Sequence, residues 1–538
     1  MKTRTVWIVW LALVLTLGGC QDRGATDEAA EEAAAAPAAA SETADAETAE
    51  ESSAEAAEAP PRNFARLGLP RGLISRTDAA TPGYVFYNPL VSDTTYLVDL
   101  DGQVVHTWTS EYGTSGGIYL KDNGNLVRAG ADPAAPVFGG GGQGGWFQEM
   151  TWDGEIVWEF HFASEEYRPH HDFAIKPNGN ILAIAWEAKT VDEAIAAGRD
   201  PDDIPRAGLW PDWVVELRPT GSDGAEIVWQ WHLWDHLVQE HDATRQNYGV
   251  VADHPELLNI NVGHIPEPIT QEQLDGRRAA GFAVSNATVD NNGSDLYHMN
   301  AINYNADLQL IALSLPGISE ILVIDQSTTT EEAAGHTGGR WGKGGDILYR
   351  WGNPANYGRG EESDQRLAYQ HDVSWIDGDS PGDVHLLVFN NNVPGAEPAQ
   401  SAVVELRLPL SESGLELNDG GAYGPAEPAW QYMTDDPMDF FSPFVSGAQR
   451  LANGNTLVTE GVSGRFFEVD VDGNVVWNYM DPYSGDMKNP DGTTPQPVGP
   501  FVHGTFRSTH VPADHPALAG RELVPLDPQP PVYQPPAN

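Results

Sequence analysis

A two-part repeat constrains the fold of this chain more than any other feature of its sequence. The first part is a hairpin pattern, in which two apolar stretches flank a turn built on Asn-Gly or a relative, as in residues 169–187. The same pattern recurs at 116–130, 298–314, 371–389 and 446–461. When the copies are aligned by their turns, five residues take equivalent positions within one residue: Gly116, His171, His298, His371 and Ser446.

The second part is an outer strand pair that ends in or near a tryptophan. Its copies lie at 95–108, 147–160, 214–231, 320–351, 403–432 and 466–479. A long period with about four short strands per repeat is typical of a β-propeller. The tryptophans provide the large apolar area that adjacent sheets bury. We therefore predict an all-β fold, a six-bladed β-propeller within residues 63–538.

The ends and interruptions of the repeat refine this prediction. Residues 81–89 and 501–511 are strand candidates without partners, so we expect the C-terminal strand to close the first blade and remove an exposed edge. Two insertions, 191–213 and 231–263, are predicted to be partly helical and to cap one face. The glycine-rich residues 139–145 lack the context of a phosphate loop and predict a flexible or close-approach loop.

The N-terminal region carries a targeting pattern. Lys2 and Arg4 precede an apolar run and Cys20, which resembles a bacterial lipoprotein signal over residues 1–20, with Cys20 as the lipidated residue. Cys20 is the single cysteine, so the folded part has no disulfide and no thiolate metal site. Residues 21–62 are predicted to be a disordered acidic tether. The alternative is a plain signal peptide or membrane anchor with an incidental cysteine.

The targeting pattern and the charge together limit location and partners. We expect an exported lipoprotein, attached by its lipid anchor alone on the periplasmic or cell-surface side, and Gln21 favours the outer membrane. The net charge of −49, from 29 Lys+Arg against 78 Asp+Glu, argues against nucleic acid as a partner. Solubility in a salty medium or a cationic partner would explain the acidity, and the oligomeric state stays open.

Histidines at equivalent positions form the candidate site. The innermost strands of a propeller point their first residues toward the central channel, so we predict that imidazoles converge there: His171, His298, His371 and His503. Strand alternation adds Asn300, Trp375 and Arg507 to the same face. Imidazole, amide and guanidinium groups together can hold a tetrahedral oxyanion. Trp375 would either stack on an aromatic substrate or pack between blades.

Four phrases, in this order, carry a family resemblance. TYLVDLDGQVVHTW, HHDFAIKPNGNIL, HMNAINYN and YQHDVSWI resemble the bacterial arylsulfotransferase family, and the likeness extends from about Gly83 to about Ala517. The resemblance implies transfer of a sulfuryl group from a phenolic sulfate ester to a phenolic acceptor through a sulfated histidine, without 3′-phosphoadenosine 5′-phosphosulfate (PAPS) or another cofactor. It implies that His371 is the nucleophile and that His171, His298 and Asn300 bind sulfate.

Two departures from the family pattern leave other functions open. An arginine follows the His-x-Asn hairpin in the family, where this chain has 313–316, Leu-Ser-Leu-Pro, and the paired cysteines of some members are absent. Arg507 is a candidate to replace that arginine. One alternative is a metal-dependent hydrolase or lyase with zinc or manganese on three neutral histidines. The other is a non-catalytic propeller that binds an anionic or aromatic ligand.

Overall fold

The computed structural model describes residues 63–135, 137–263, 268–279, 286–377, 383–411, 414–415, 417, 421–485 and 501–533. The predicted signal peptide, the lipidation site Cys20 and the tether lie outside these residues. Among the described helices, none combines the length and apolar character needed to span a bilayer.

Fourteen strands come from the first half of the chain. They are β1 (Gly72–Arg76), β2 (Gly83–Pro89), β3 (Thr94–Asp99), β4 (Val104–Thr109), β5 (Thr114–Leu120), β6 (Leu126–Ala131), β7 (Gly145–Met150), β8 (Ile156–His161), β9 (Tyr167–Ile175), β10 (Ile181–Glu187), β11 (Asp212–Thr220), β12 (Gly224–His232), β13 (Leu237–Val238) and β14 (Leu258–Asn259).

Fifteen more strands follow. They are β15 (Ala301–Asn305), β16 (Leu310–Leu315), β17 (Glu320–Asp325), β18 (Tyr349–Trp351), β19 (His371–Asp377), β20 (Val384–Asn390), β21 (Ala402–Arg407), β22 (Leu410–Ser411), β23 (Gly414–Leu415), β24 (Trp430–Tyr432), β25 (Gly447–Arg450), β26 (Thr456–Glu460), β27 (Arg465–Val469), β28 (Val475–Met480) and β29 (Thr505–Pro512).

Helices are few and short in the described chain. The α-helices are α1 (Val191–Ala197), α2 (Gln271–Ala279) and α3 (Thr330–Ala333). The 3₁₀ turns are Pro201–Asp203, Leu233–Asp235, Val251–Asp253, Pro354–Tyr357, Glu362–Asp364, Gly461–Ser463 and Pro516–Leu518. The first predicted insertion is thus partly helical through α1. In the second, residues 231–263, the end of β12 is followed by 3₁₀ turns and the short pair β13–β14, with no α-helix.

The strands form antiparallel meanders in a β-propeller-like arrangement. Four sheets of blade size stand alone: β29-β2-β3-β4, β15-β16-β17-β18, β19-β20-β21-β24, and β25 to β28 with β1 on the outer edge. The fifth large sheet has eight strands, in the order β12-β11-β10-β9-β5-β6-β7-β8. It consists of two four-stranded meanders joined by a single parallel bridge between Gly116 and His171. Four separate blades are therefore seen where the sequence predicted six.

Local sequence explains the strand pairs. The turn between β9 and β10 closes where Gly179, with φ +86°, donates its N–H to the carbonyl of Lys176 at 2.8 Å. Glycine adopts this left-handed conformation without steric cost. All six predicted outer pairs occur as strand pairs: β3–β4, β7–β8, β11–β12, β17–β18, β21–β24 and β27–β28. The two strand candidates that lacked partners, β2 and β29, pair antiparallel from Gly83↔Pro512 to Pro89↔Thr505.

Tryptophans on outer strands connect neighbouring meanders. The indole N–H of Trp158 donates to the Gly224 carbonyl at 2.8 Å, and that of Trp231 donates to Gly345 at 2.7 Å. Trp351 donates to Pro425 at 2.8 Å, and Trp477 donates to Leu100 at 3.0 Å. In each case the acceptor lies in the next meander, and for Trp477 it lies in the meander of β2 to β4. Each indole thus buries a large apolar area and satisfies its donor across the same contact.

The hydrophobic core lies between meanders, because both faces of each sheet are covered. Each of the six largest clusters combines residues from two successive meanders. One of them joins β25 to β28 with β2 to β4, through residues such as Val85, Val98, Phe466 and Trp477. This arrangement leaves the first residues of the innermost strands to meet at the centre.

We expect the contact between β29 and its neighbours to stabilise the fold measurably. Val511 is buried in a cluster with Phe86, Trp108 and Ile118. Val511→Ala removes apolar contacts and leaves a cavity, so it should lower the free energy of unfolding by about 2 kcal/mol. Urea denaturation followed by tryptophan fluorescence measures this change.

The matched control is Val524→Ala, because Val524 is largely exposed. It should change the free energy of unfolding by less than about 0.5 kcal/mol. Equal effects of the two substitutions would contradict the packing described for β29.

Candidate active site

Left-handed residues mark the starts of the innermost strands. The backbone has φ +54° at His171, +55° at His298, +52° at Asp372 and +91° at Ser446, and φ +147° at Gly116. Such conformations cost about 1–3 kcal/mol at each non-glycine residue and persist where the surroundings enforce them. The pairing register shifts next to three of them, in the β5–β6, β9–β10 and β19–β20 pairs. These bulges redirect the side chains that the alignment of hairpins placed at equivalent positions.

Three of the predicted imidazoles are brought together. The ring centres of His171 and His298 lie 4.4 Å apart, with an angle of 80° between the rings. His371 is close enough that its charge would lower the pKa of His171, and the charge of His298 lowers the pKa of His371. His171 and His298 are therefore in ring contact, and His371 lies near enough for its charge to act on His171 where β9, β15 and β19 converge.

The carboxylate partner of His298 favours the protonated form of its ring. Burial alone would lower the pKa of His298, but Asp295 outweighs burial and raises it. The His298 Nδ1 atom lies 2.5 Å from Asp295 Oδ2, and the side chain of His298 is 33% exposed. The Trp186 indole donates to the other oxygen of Asp295 at 3.0 Å. In its protonated form His298 keeps Nδ1 bound to Asp295 and has Nε2–H as a second donor.

His371 is neutral, and its hydrogen bonds select one tautomer. Burial is the main cause that lowers the pKa of His371 to about 4. Its Nδ1 atom faces two acceptors, Asn391 Oδ1 at 2.8 Å and the Tyr369 carbonyl at 2.9 Å. The Asn391 amide nitrogen donates to the carbonyls of Ser442 and Val445, which orients Oδ1 toward His371. Nδ1 therefore carries the hydrogen, and the lone pair is on Nε2.

The Nε2 lone pair of His371 already has one partner. The backbone N–H of Val445 donates to it at 3.1 Å. Val445 has φ +49°, so this contact is made from a left-handed backbone position. A group that bonds to Nε2 has to displace this hydrogen bond.

His171 forms a second imidazole pair with its neighbour His170. His170 Nδ1 and His171 Nδ1 are 2.8 Å apart, so one of them donates to the other. Burial lowers the pKa of His170 to about 3 and that of His171 well below 6.5. Asp212 Oδ1 lies 3.2 Å from His170 Nε2, and burial raises the pKa of Asp212 well above its ordinary value. Burial therefore disfavours charge on this side of the cluster.

The glycine-rich loop 139–145 lies directly against the imidazoles. A Cβ atom at Gly142 would come within 2.5 Å of the His171 ring, and one at Gly140 within 2.7 Å of Trp186. The buried Arg168 fixes the loop by donating to the Gly144 carbonyl at 3.0 Å and to Gln143 Oε1 at 2.9 Å. The close-approach interpretation of this loop is confirmed.

Arg507 is bound by carboxylates rather than left free. Its guanidinium contacts Asp172 Oδ1 at 2.8 Å, Asp172 Oδ2 at 3.0 Å and Asp372 Oδ1 at 2.9 Å. It also donates to the Tyr119 hydroxyl at 3.1 Å. Burial opposes the charge, but Asp172 and the other partners raise the pKa of Arg507 well above its ordinary value. The two carboxylates immediately follow His171 and His371, so Arg507 connects the backbones that carry these histidines.

The same carboxylates accept backbone hydrogen bonds from two further meanders. Asp172 Oδ2 accepts from the N–H of Ile302 at 3.4 Å, and Asp372 Oδ2 accepts from Ala448 at 2.9 Å. Together with Arg507 on β29 and Tyr119 on β5, the network joins strands from six successive meanders.

Asn300 supports the backbone beside His371. Its amide nitrogen donates to the Gln370 carbonyl at 2.9 Å, and Gln370 in turn donates to the Glu320 carbonyl at 2.8 Å. The Asn300 side chain is fully buried. Its placement is that of a residue that positions the segment leading into His371.

Two predicted site residues lie apart from the imidazole cluster. His503 Nδ1 contacts the Tyr483 carbonyl at 2.7 Å, and its ring packs against Tyr533. Burial lowers the pKa of His503 to about 4, with Arg71 as the nearby charge. Trp375 donates through its indole N–H to the Asn303 carbonyl at 3.1 Å, so it packs between β19 and β15. The structure thus gathers three of the four predicted histidines.

Sequence reasoning missed Asp295 and Asn391. Asp295 had a local signal, because an acidic residue three positions before a histidine at a strand start is placed to pair with it. Asn391 lies in the run Asn390-Asn391-Asn392 after β20, where the sequence does not distinguish which amide faces inward. Only the tertiary arrangement shows that Asn391 contacts His371.

The fold and the site define a β-propeller-like protein with a buried imidazole cluster where its innermost strands converge. The family model described as arylsulfotransferase (ASST) matches residues 81–474, most of the chain. The chain therefore belongs to the arylsulfotransferase family. At family level this makes it a sulfotransferase, with aryl sulfates and phenols as the substrates that membership suggests. No curated protein matches the chain.

Several solved structures are similar in fold, at low identity. A protein of unknown function from Bacteroides caccae is 12% identical, covers 80% of this chain and 99% of its own, and has a TM-score of 0.39. The periplasmic gluconolactonase of Pseudomonas aeruginosa is 10% identical, with coverages of 80% and 99% and a TM-score of 0.36. Virginiamycin B lyase of Staphylococcus aureus is 10% identical, with coverages of 76% and 87% and a TM-score of 0.32. These likenesses carry no argument about activity.

The charge of His298 can be tested directly. Asp295→Asn removes the carboxylate, so burial prevails and the pKa of His298 should fall below 6.5. Because the pKa in the folded wild type is raised above the unfolded value, this histidine stabilises the fold below pH 6.5, and the contribution is lost as the pH rises through the raised value. NMR titration of the histidine ring protons measures the pKa.

The matched control is Glu256→Gln, which removes the carboxylate beside the surface residue His254. It should leave the His298 titration unchanged. A His298 pKa that is the same in wild type and Asp295→Asn would refute the role given to Asp295.

Proposed function

We propose that this protein is an aryl-sulfate sulfotransferase that works without PAPS. It would transfer a sulfuryl group from a phenolic sulfate ester to a phenolic acceptor, with sulfated His371 as the intermediate. The observation that carries the proposal is the state of His371, a neutral imidazole whose Nδ1–H is held by Asn391 so that the lone pair is on Nε2. A neutral, oriented imidazole is a competent nucleophile.

In the first step, His371 Nε2 attacks the sulfur of the ester. The S–N bond forms while the bond from sulfur to the phenolic oxygen breaks, and its electron pair leaves on the phenolate. The sulfated ring is an imidazolium, and its Nδ1–H points at Asn391 Oδ1 and the Tyr369 carbonyl. These acceptors stabilise the positive charge that develops on the ring.

His298 supplies the cation next to the transferred group. Its Nε2–H would donate to a sulfuryl oxygen and pass its proton to the departing phenolate. His171 lies 4.4 Å from His298 between ring centres and would contact the remaining oxygens. Such donors stabilise an oxyanion best where water is excluded.

The second step reverses the first with a new phenol. The neutral His298 formed earlier takes the proton of the acceptor phenol, whose oxygen attacks the sulfur. The S–N bond breaks, its electron pair returns to His371 Nε2, and the sulfate ester of the acceptor leaves. His298 gives its proton to the departing phenolate and takes one back from the acceptor phenol, so no cofactor is required.

Two other predicted site residues, Asn300 and Arg507, would act by positioning the histidines. Asn300 holds the Gln370 carbonyl beside His371, and Arg507 holds the aspartates that follow His171 and His371. Because its donors face carboxylates, Arg507 is a poor replacement for the missing family arginine. His298, whose protonated form is favoured by Asp295, is the better candidate for that cationic role.

The proposal also includes the number of blades, the closure of the ring and export as a lipoprotein. A division of the eight-stranded sheet at its single bridge into two blades would give six blades. The pairing of β29 with β2 and the indole contact from Trp477 to Leu100 support closure of the ring in the first blade. The sequence pattern at Cys20 supports export as a lipoprotein, with the acidic tether before the propeller.

A covalent intermediate on His371 is the decisive test. Wild-type protein incubated with 4-nitrophenyl sulfate should release 4-nitrophenol and carry one sulfuryl group on His371, located by peptide mass spectrometry. His371→Ala should release no 4-nitrophenol and carry no sulfuryl group, because the proposed nucleophile is gone.

His503→Ala is the matched control, since His503 is also buried with a pKa near 4 but lies apart from the cluster. It should keep the intermediate. If wild type and His371→Ala bind the ester equally and neither turns it over, the protein is a binding propeller and the proposal fails.

The tautomer of His371 gives a separate prediction. Asn391→Ala removes one Nδ1 acceptor, so kcat should fall about 10-fold to 100-fold, which corresponds to the loss of one buried hydrogen bond. KM should change little, because Asn391 does not face the substrate.

Asn391→Asp distinguishes a positioning role from a purely structural one. A carboxylate at this position favours the imidazolium, so the pKa of His371 rises from about 4 and the acidic limb of the pH profile of kcat/KM moves to higher pH. An unmoved acidic limb would show that Asn391 does not set the state of His371.

A further inference from the structure

A second cluster of ligand atoms lies outside the imidazole site. Among the described residues, one set of three His, Cys, Asp or Glu side chains brings its ligand atoms within 4.8 Å of one another, and it consists of His236, His336 and Asp346. His236 ends the 3₁₀ turn after β12, whereas His336 and Asp346 belong to the loop between β17 and β18. Neither histidine received a role from the sequence.

His236 has a hydrogen-bond arrangement that calls for a cation. Its Nε2 lies 2.8 Å from the Ala333 carbonyl, which can only accept, so Nε2 carries a hydrogen. Its Nδ1 lies 3.1 Å from Asp346 Oδ1. In the neutral tautomer set by Ala333, this contact places the lone pair of Nδ1 against a carboxylate oxygen. The contact is favourable only if a proton or a metal ion lies between the two atoms.

His336 approaches the same carboxylate oxygen from the other side. Its Nδ1 lies 2.7 Å from Asp346 Oδ1, and its ring packs edge-on against the ring of His236 at 6.0 Å. The His336 side chain is 62% exposed, whereas those of His236 and Asp346 are 0% and 7% exposed. One oxygen thus faces two imidazole nitrogens, and the exposed member leaves a path from solvent.

The loop that carries two of these residues is held in shape. Gly345 donates to the Gly335 carbonyl at 2.9 Å, and Gly344 donates to Gly338 at 3.1 Å, with φ +61° at Gly344. The Trp231 indole donates to the Gly345 carbonyl at 2.7 Å, and the same indole stacks on His236. These contacts hold His336 and Asp346 next to His236, so the three side chains come together without a large rearrangement of the loop.

The donor set suits zinc. Zinc takes two imidazoles and a carboxylate at about 2.0–2.2 Å, which separates tetrahedral ligand atoms by roughly 3.4 Å. The observed separations of 3.1 and 2.7 Å need to open by about half an ångström, and the exposed ring of His336 can move. A ligating histidine normally donates its other ring N–H to a carbonyl, as His236 does to Ala333.

We propose that His236, His336 and Asp346 bind a zinc ion, with water in the fourth position. The ion joins the 336–346 loop to the segment after β12 and so fixes the contact between two successive meanders. The site shares no residue with the imidazole cluster, so it stands or falls independently of sulfuryl transfer.

Zinc binding by the intact chain is the test. Protein stripped with a chelator and titrated with zinc sulfate should bind one zinc per chain, measured by calorimetry and by elemental analysis after gel filtration. His336→Ala should raise the Kd at least about 100-fold, because loss of a ligand exceeds the usual effect of losing an outer hydrogen bond. Zinc should raise the Tm of the wild type and leave that of His336→Ala unchanged.

His254→Ala is the matched control, since His254 is an exposed histidine 3.0 Å from the Glu256 carboxylate. It should bind zinc as the wild type does. Circular dichroism of His336→Ala without metal should match the wild type, and Co²⁺ should give the visible absorption of a tetrahedral site in the wild type but not in His336→Ala. The inference is overturned if the wild type binds no zinc, if His336→Ala binds it equally, or if Fe²⁺ or Mn²⁺ binds more tightly.

Discussion

The buried ion pairs of Arg507 are the interaction on which the site depends. Arg507 lies on the last strand, and its two carboxylate partners, Asp172 and Asp372, each follow a histidine of the cluster. Breaking a buried pair of this kind costs roughly 3–5 kcal/mol because a charge is left uncompensated. The network therefore holds the backbones of separate meanders at one point, and the left-handed positions beside it are kept in place by the same contacts.

Burial and one carboxylate give chemically identical side chains different pKa values and so different roles. His171 and His371 are neutral because burial lowers the pKa of each, while Asp295 raises the pKa of His298. A nucleophile needs a free lone pair, and an oxyanion needs a cationic donor. The cluster supplies both from one residue type, because each ring has a different second partner. The zinc site proposed elsewhere in the chain follows the same logic, since the Ala333 carbonyl decides which nitrogen of His236 is free.

Much of the fold and part of the site could be predicted from sequence. The alternation of residues and the Asn-Gly turns predicted the outer pairs and the hairpin of β9 and β10, because these depend on neighbours along the chain. The equivalent positions of His171, His298 and His371 followed from the repeat. His503 shows the limit, since its segment carries no hairpin turn that would fix its register, and its ring faces Tyr483 instead. The joining of two meanders at Gly116 and His171 was also not foreseeable.

The sequence by itself determined the repeating strands and the family, and it predicted four converging histidines, of which three meet. Only the tertiary structure decided which of them has a raised pKa, which nitrogen of His371 carries the lone pair, and that Arg507 is occupied by carboxylates. The reason is physical. Strand pattern is set by residues a few positions apart, whereas pKa and tautomer are set by burial and by partners such as Asn391, which lies 20 residues from His371 along the chain.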